Sequence, residues 1–265
     1  MSARGAPSYS PYSGIEERVM QEDGAGPASR SVLGADSRRQ DGRLPEECRP
    51  AFLQVGTVSR AAGSAYAEFA STKVLVAVYG PRESRKAAAY SDTSRLTCDV
   101  KLAAFATKSR GKYGQGTAER ELSDLLHKAL VSAVRLDTFP KASVDVFALV
   151  LESGGADLAV VVTAASLALA DAGIEMLDMV AATSLSLVGG HLLVDPAASE
   201  ERAQDGNVLV ALMPARNEVT QMHLAGAWPD THAAQAIELC LDGCHKLDGE
   251  MRACLREHAA TANGS

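Results

Sequence analysis

Aromatic residues make up only 5% of the chain and tryptophan occurs once, so a recognition surface built from many stacked rings has little to draw on. No run of 18 uninterrupted apolar residues occurs. The nearest approach, residues 158–170, is broken by Thr163 and Ser166 and is too short to cross a bilayer. The opening residues, MSARGAPSYSPYSG, hold no apolar stretch of the kind a secretory leader carries, which gives a cytosolic or nuclear expectation. Cysteine is scarce and odd in number: Cys48, Cys98, Cys240, Cys244 and Cys254 include no Cys-x-x-Cys pair. Zinc sites want short paired spacings together with histidine, and the six histidines show no such spacing. The thiols are read as reduced, and neither a metal nor a cofactor is expected.

Net positive charge is also lacking. The formal charge is -7, whereas a nucleic-acid binder must neutralise phosphates with Lys and Arg. The distribution matters more than the sum. Residues 82–112 carry eight basic side chains (Arg82, Arg85, Lys86, Arg95, Lys101, Lys108, Arg110, Lys112) against three acids, an excess of five that leaves the rest of the chain at -12. Counting alone is equally satisfied by two solvated loops.

Residues 1–40 are rich in Ser, Gly, Pro, Ala and charge without periodicity and read as a disordered tail. A first part, residues 41–180, opens with short β-type runs at 51–58, 64–69 and 73–79, with a further strand at 95–105. Leu122, Leu125, Leu126, Ala129, Leu130, Ala133 and Val134 follow helical spacing. Residues 144–151 read as a strand covered on both faces. Then two glycines lead into SGGADLAVVVTAASLALADAG, residues 153–173, a helix without a polar face that must be wrapped by other elements and that Gly173 is placed to end. A second part, residues 181–260, holds a hairpin turning at Gly189-Gly190, strands in NVLVALMP and VTQMHLAG, and a closing helix over 232–258. Strands followed by helices, repeated unequally, make the class α+β.

Five strings keep order and spacing: DGR…CRP (residues 41–50), GSAYAEFASTKVLVAVYGPRE (63–83), the first helix, FPKASVDVFALVLESGG (139–155) and ASLALADAGIEMLDMV (165–180). Together they resemble the RNase PH family of phosphorolytic exoribonucleases and their relatives in the RNA exosome, over residues 41–258. The pattern looks like the eukaryotic ring subunits of the messenger-RNA-transport-regulator type, plant-like forms in particular. The resemblance implies an RNase PH-like fold (ribosomal protein S5 domain 2-like, with a split β-α-β unit) and assembly of six such domains into a ring with RNA threading its channel. It also implies other RNase PH-like subunits and S1/KH cap subunits as partners, and residence in nucleus, nucleolus and cytoplasm. Active members bind phosphate at the Gly-Gly turn through Ser or Thr followed by Arg, add arginines before the first long helix, and place two aspartates about six residues apart beyond the hairpin. An anionic nucleophile brought against an anionic backbone needs those cations and a proton-handling carboxylate.

This chain departs from the pattern. Ala156 and Asp157 stand where the hydroxyl and the cation belong. One charge pair at about 4 Å near a surface is worth roughly 4 kcal/mol, so inverting its sign opposes phosphate by roughly 8, against at most about 2 from the helix dipole. Thr117 and Ala118 stand before the first helix in place of arginines, with Arg120 one step out of register. Asp195 matches the first aspartate and Glu201 stands six residues on. Asp195 is read equally well as a residue ending a strand before Pro196. The expectation is a non-catalytic ring subunit with no catalytic residues, the alternative an active phosphorolytic 3'-5' exoribonuclease, and a third reading an RNA-binding adaptor outside the exosome. A cation converging on Gly154-Gly155 is the feature that separates the first two. In the family the loop after Tyr-Gly-Pro lines the channel neck, which marks Arg82, Arg85 and Lys86 as RNA contacts; a second loop, TKSRGKYGQG, offers Lys108, Arg110 and Lys112.

Overall fold

Residues that alternate between small or β-branched and polar set the first sheet. β1 (Ala51–Val55), β2 (Gly63–Phe69) and β3 (Thr72–Glu83) form an antiparallel meander, with Ala65, Ala67, Val74, Val76 and Val78 turned inward. After β4 (Arg95–Leu102), helix α1 (Thr117–Val131) returns the chain so that β5 (Ala142–Glu152) lies parallel to β4 and antiparallel to β3, giving the order β1-β2-β3-β5-β4. The Glu119 carboxylate fastens the start of α1, accepting the N–H of Gly116 at 2.7 Å and of Leu102 at 2.9 Å. The computed structural model describes residues 38–83, 93–111 and 116–263.

Helix α2 (Asp157–Asp171) is buried at every position from 159 to 169, as its lack of a polar face predicts. Its two polar interruptions are joints. The Ser166 hydroxyl accepts the N–H of Val180 at 2.8 Å and the Thr163 hydroxyl that of Ala182 at 3.3 Å, which ties the helix to the strand that follows. Small side chains let backbones close in: a Cβ on Gly63 would stand 2.2 Å from the nitrogen of Ala172.

The second sheet runs β7-β6-β8-β9, from β6 (Ala181–Val188), β7 (His191–Val194), β8 (Gly206–Met213) and β9 (Glu218–Gly226). The β6–β7 turn is made by Gly189 and Gly190, both at positive φ (55° and 84°), as a two-residue hairpin requires. A short helix α3 (Ala198–Glu201) links β7 to β8, and α4 (Asp230–Asn263) closes the chain. α2 packs between the two sheets, while Ala236 and Cys240 of α4 cover Leu185, Val194, Val208 and Val210 on the other face of the second.

Several elements differ from expectation for local reasons. The strand begun at 95 stops at Leu102, because residues 103–111 fold into turns. β1 ends at Val55, where Gly56 turns at φ 71°. β3 runs on to Glu83 past a cis Gly80-Pro81 bond, resuming its pairing at Arg82↔Ser143. β5 is not covered on both faces. Phe147 is 42% and Leu149 37% exposed, because helices pack on only one side of this sheet. Helix α4 is longer than predicted at both ends, and Arg39, on the tail side of Asp41, is buried.

Candidate functional site at the glycine turn

The turn between β5 and α2 is packed too closely for any residue but glycine at two positions. A Cβ on Gly154 would lie 2.1 Å from the Ser71 hydroxyl, and one on Gly155, which sits at φ 101°, 2.5 Å from the Pro196 carbonyl oxygen. The strap before α3 therefore lies directly on the turn, and the Ala198 N–H donates to Gly154 O at 2.8 Å.

A cation does converge here. Arg49, buried just before β1, spends all five guanidinium N–H bonds on protein. Nε and Nη2 hold Asp195 at 2.9 and 2.6 Å. Nη1 reaches the Thr72 hydroxyl at 2.9 Å and Gly154 O at 3.4 Å, and Nη2 also reaches Gly155 O at 2.9 Å. Its backbone N–H adds a third bond to Asp195, at 2.9 Å. The arginine thus faces the carbonyl side of the turn and is neutralised there by Asp195. That carboxylate ends β7 at φ 51° and joins the second sheet to the first. Arg39 and Arg43 extend the joint, each donating from Nη1 to Asp195 O at 3.3 Å.

The amide side of the turn carries two carboxyls. Glu201, on α3, accepts the N–H of Ala156 at 2.7 Å. Asp157 accepts the Ser153 hydroxyl through Oδ2, while its buried Oδ1 has no partner among the described residues. Burial pushes both upward, Glu201 to about 7, with the nearby Asp157 charge adding to the rise and the Ala156 N–H opposing it. A site of this kind repels an anion. Thr117 and Ala118 open α1, and Arg120 is exposed on its first turn.

The predicted RNA contacts are placed unequally. Arg82 lies on β3 rather than in the loop beyond it, ion-paired with Asp145 and 5.6 Å above the centre of the Tyr79 ring. Lys108 and Arg110 are exposed on the 103–111 loop and form no ion pair among the described residues. Arg85, Lys86, Lys112 and residues 1–37 of the predicted tail lie outside the described residues. That loop also presents Phe105, 73% exposed, above a buried Ala106 whose carbonyl accepts the N–H of Ser153 at 2.9 Å. Sequence reasoning gave no role to Phe105 or Arg49. The available signals were a phenylalanine out of step with the inward positions of the strand expected at 95–105 and an arginine between Cys48 and Pro50 ahead of the first strand.

An α+β chain of two sheets around a wholly apolar helix, entered through a glycine turn and locked by an Arg–Asp joint across the sheets, has the architecture of an RNase PH-type exoribonuclease chain. The chain belongs to the 3' exoribonuclease family: the models of its domain 1 and domain 2 match residues 47–175 and 178–243. It is 51% identical over 228 residues to the exosome complex component RRP41-like of Arabidopsis thaliana (86% of this chain, 88% of that one). It is 42% identical over 233 residues to the human exosome complex component MTR3 (82% and 86%), and 35% identical over 232 residues to the exosome complex component Rrp41 of Pyrococcus furiosus (87% and 93%). The crystal structure of rice Rrp46 shares the fold with a TM-score of 0.73 at 23% identity, covering 81% of this chain and 98% of that one.

Proposed function

We propose that this chain is a non-catalytic structural subunit of the RNA exosome core ring, supporting 3'-5' RNA processing and degradation and lining part of the RNA channel. The observation that carries the reading is the charge at the glycine turn. Arg49, the cation that faces the turn, has no N–H left for a phosphate, and Asp157 and Glu201 occupy the amide side. Phosphorolysis asks for the opposite sign at that place. The similarity to exosome components named RRP41-like and MTR3 supports membership of the assembly. Its partners are then other RNase PH-like subunits, S1/KH cap subunits and RNA held by the assembled ring, in nucleus, nucleolus and cytoplasm. Within the channel, Arg82 at the end of β3, with Arg85 and Lys86 after it in the sequence, and Lys108 and Arg110 of the 103–111 loop, with Lys112 after them, hold phosphates, and Phe105 offers a face on which a base stacks.

Affinity purification of the tagged chain tests the assembly: recovery of the other ring and cap subunits in near-equal amounts is expected. Release of nucleoside diphosphates from RNA by the purified chain, dependent on inorganic phosphate, overturns the non-catalytic reading.

A further inference from the structure

The outer face of the first sheet is bare among the described residues, because helices pack on only one of its sides. Strand alternation turns onto it the residues out of phase with the core, and register sets them in rows: Tyr79 beside Asp145, Ala77 beside Phe147 and Asp99, Leu75 beside Leu149 and Lys101. Its middle is an apolar depression of about 240 Å³ lined by Leu75, Ala77, Tyr79, Phe147 and Leu149. Tyr79 and Phe147 meet edge to face at 5.8 Å, and a second ring pair, Phe52 and Tyr66 at 6.3 Å, carries the apolar surface on to β1. A contiguous apolar face of this kind marks an interaction surface. Its charges choose the occupant. Arg82 with Asp145 and Lys101 with Asp99 neutralise each other in place. Arg95, which forms no ion pair among the described residues, then leaves one end positive, while Glu68 and Glu152 share Lys73 and leave the other end negative. Four cations and four acids sum to zero, whereas RNA asks for an excess of cations. Five strands at about 4.8 Å each and nine steps of about 3.3 Å from Ser143 to Glu152 make the face roughly 24 by 30 Å, or about 700 Å². A specific protein interface takes about 800 Å² from each partner.

We propose that this face stacks on the same face of a second copy of the chain, about a two-fold axis that crosses the strands at Phe147, with Arg95 of each copy meeting Glu152 of the other. Such an axis lays each strand on its counterpart in the opposite direction, so the apolar middle meets itself and the positive end of one copy meets the negative end of the other. Arg95 on β4 then stands over Glu152 on β5 of the second copy, one strand to the side and within the reach of an arginine across sheets about 10 Å apart. The contact occurs twice, because a two-fold interface is isologous. An axis along the strands would instead set like ends together, so charge selects the crossing. Arg82 stands at the border of the face, beyond Tyr79, and the stack does not need it. The inference goes beyond the ring reading and does not depend on it.

Sedimentation equilibrium of the purified full chain at about 1–50 µM tests it. A mass twice the chain's 27.7 kDa is expected. Joint F147E and L149E substitution, at two exposed positions, is expected to give a monomer with an unchanged circular dichroism spectrum. R95E and E152R are each expected to weaken the dimer about tenfold, since each reversal acts twice, and the two together to bring the affinity back to within about threefold of the wild-type chain. That cancellation separates the stack from pairing through a strand edge and from unspecific apolar association, neither of which joins these two residues. A monomer at about 50 µM, a dimer untouched by F147E with L149E, or charge reversals whose losses add instead of cancelling overturns the stack. The chain is measured alone, so each of these results leaves the ring reading where it stood.

Discussion

Replacing Asp195 by asparagine separates a structural carboxylate from a catalytic remnant. Asparagine tolerates the left-handed backbone found at this position (φ 51°), so conformational strain stays nearly constant. What changes is charge: Arg49 is left buried without the carboxylate it is paired with, and an amide NH2 now confronts its Nη2 donor. Breaking one side of a buried pair costs about 3–5 kcal/mol. With its oxygen in the Oδ2 place the amide keeps two of the three hydrogen bonds Asp195 receives from Arg49, worth about 2 kcal/mol together, so about 1–3 is lost. Against a typical stability of about 5–15 kcal/mol this is a large fraction. The assay is urea unfolding followed by circular dichroism for D195N, R49M and the double variant. Removing both partners is expected to cost less than the two single losses added, by about 2 kcal/mol or more, because the turn carbonyls keep other donors. Gly154 O still accepts the Ala198 N–H, and Gly155 O still accepts the Thr72 hydroxyl. A loss below about 1 kcal/mol in D195N, or strict additivity, would refute the keystone role.

Stability should fall as pH rises through the window set by Glu201. The folded chain holds this proton more tightly than the unfolded one, so the penalty is absent below about pH 4.5, grows toward 7 and is complete above it. At about 1.4 kcal/mol per unit it reaches at most about 3 kcal/mol, and E201Q should abolish the slope; urea unfolding at pH 5 and pH 8 checks it. G154A, whose Cβ would stand 2.1 Å from the Ser71 hydroxyl, should cost about 2–3 kcal/mol, whereas G173A, open to solvent at φ 68°, should cost about 1. Native alkylation with iodoacetamide at pH 8.5 should reach Cys48 and Cys254 before Cys98, whose thiol burial pushes up to about 12, leaving it about three orders of magnitude less thiolate than a free cysteine. Joint A156S and D157R substitution should give no phosphate-dependent release of nucleoside diphosphates, because Glu201 still occupies the Ala156 N–H and Arg49 stays saturated.

Much of the architecture was legible because periodicity and burial are local. Residues 159–169 announced a wrapped helix by lacking any polar stripe, and Gly189-Gly190 announced a hairpin. What escaped depends on pairings made at a distance. Arg49 and Asp195 are 146 residues apart, and nothing near either names its partner. The outward set of β5, Phe147 and Leu149, reads as core because apolar residues alternate with apolar residues there; only the placing of helices on one face decides that they are exposed. The resemblance places Arg82 in the loop after Tyr-Gly-Pro, but the pairing to Ser143 resumes one residue after Pro81 and keeps Arg82 on β3. At the site itself, Ala156 and Asp157 were visible as departures from a pattern, whereas the reach of Glu201 across 45 residues to the same turn was not.

On the proposed non-catalytic reading, the glycine turn illustrates how a fold can outlast its chemistry. Gly154 and Gly155 meet Ser71 and the Pro196–Ala198 backbone at distances that exclude a side chain, so selection for packing alone retains them. A phosphate-binding cation has no such second duty: it stands in solvent at the mouth of a site and contributes nothing to the core. Losing it leaves backbone amides unsatisfied at the start of α2, and a carboxylate from the neighbouring strap can take one of them at the cost of its own desolvation. Glu201 does so, with its proton affinity raised as that cost requires. In this chain a Gly-Gly turn before an apolar helix is thus a statement about how closely β5, α2 and the strap before α3 approach; whether it binds an anion is decided by which charges face its amides, and here those charges are negative.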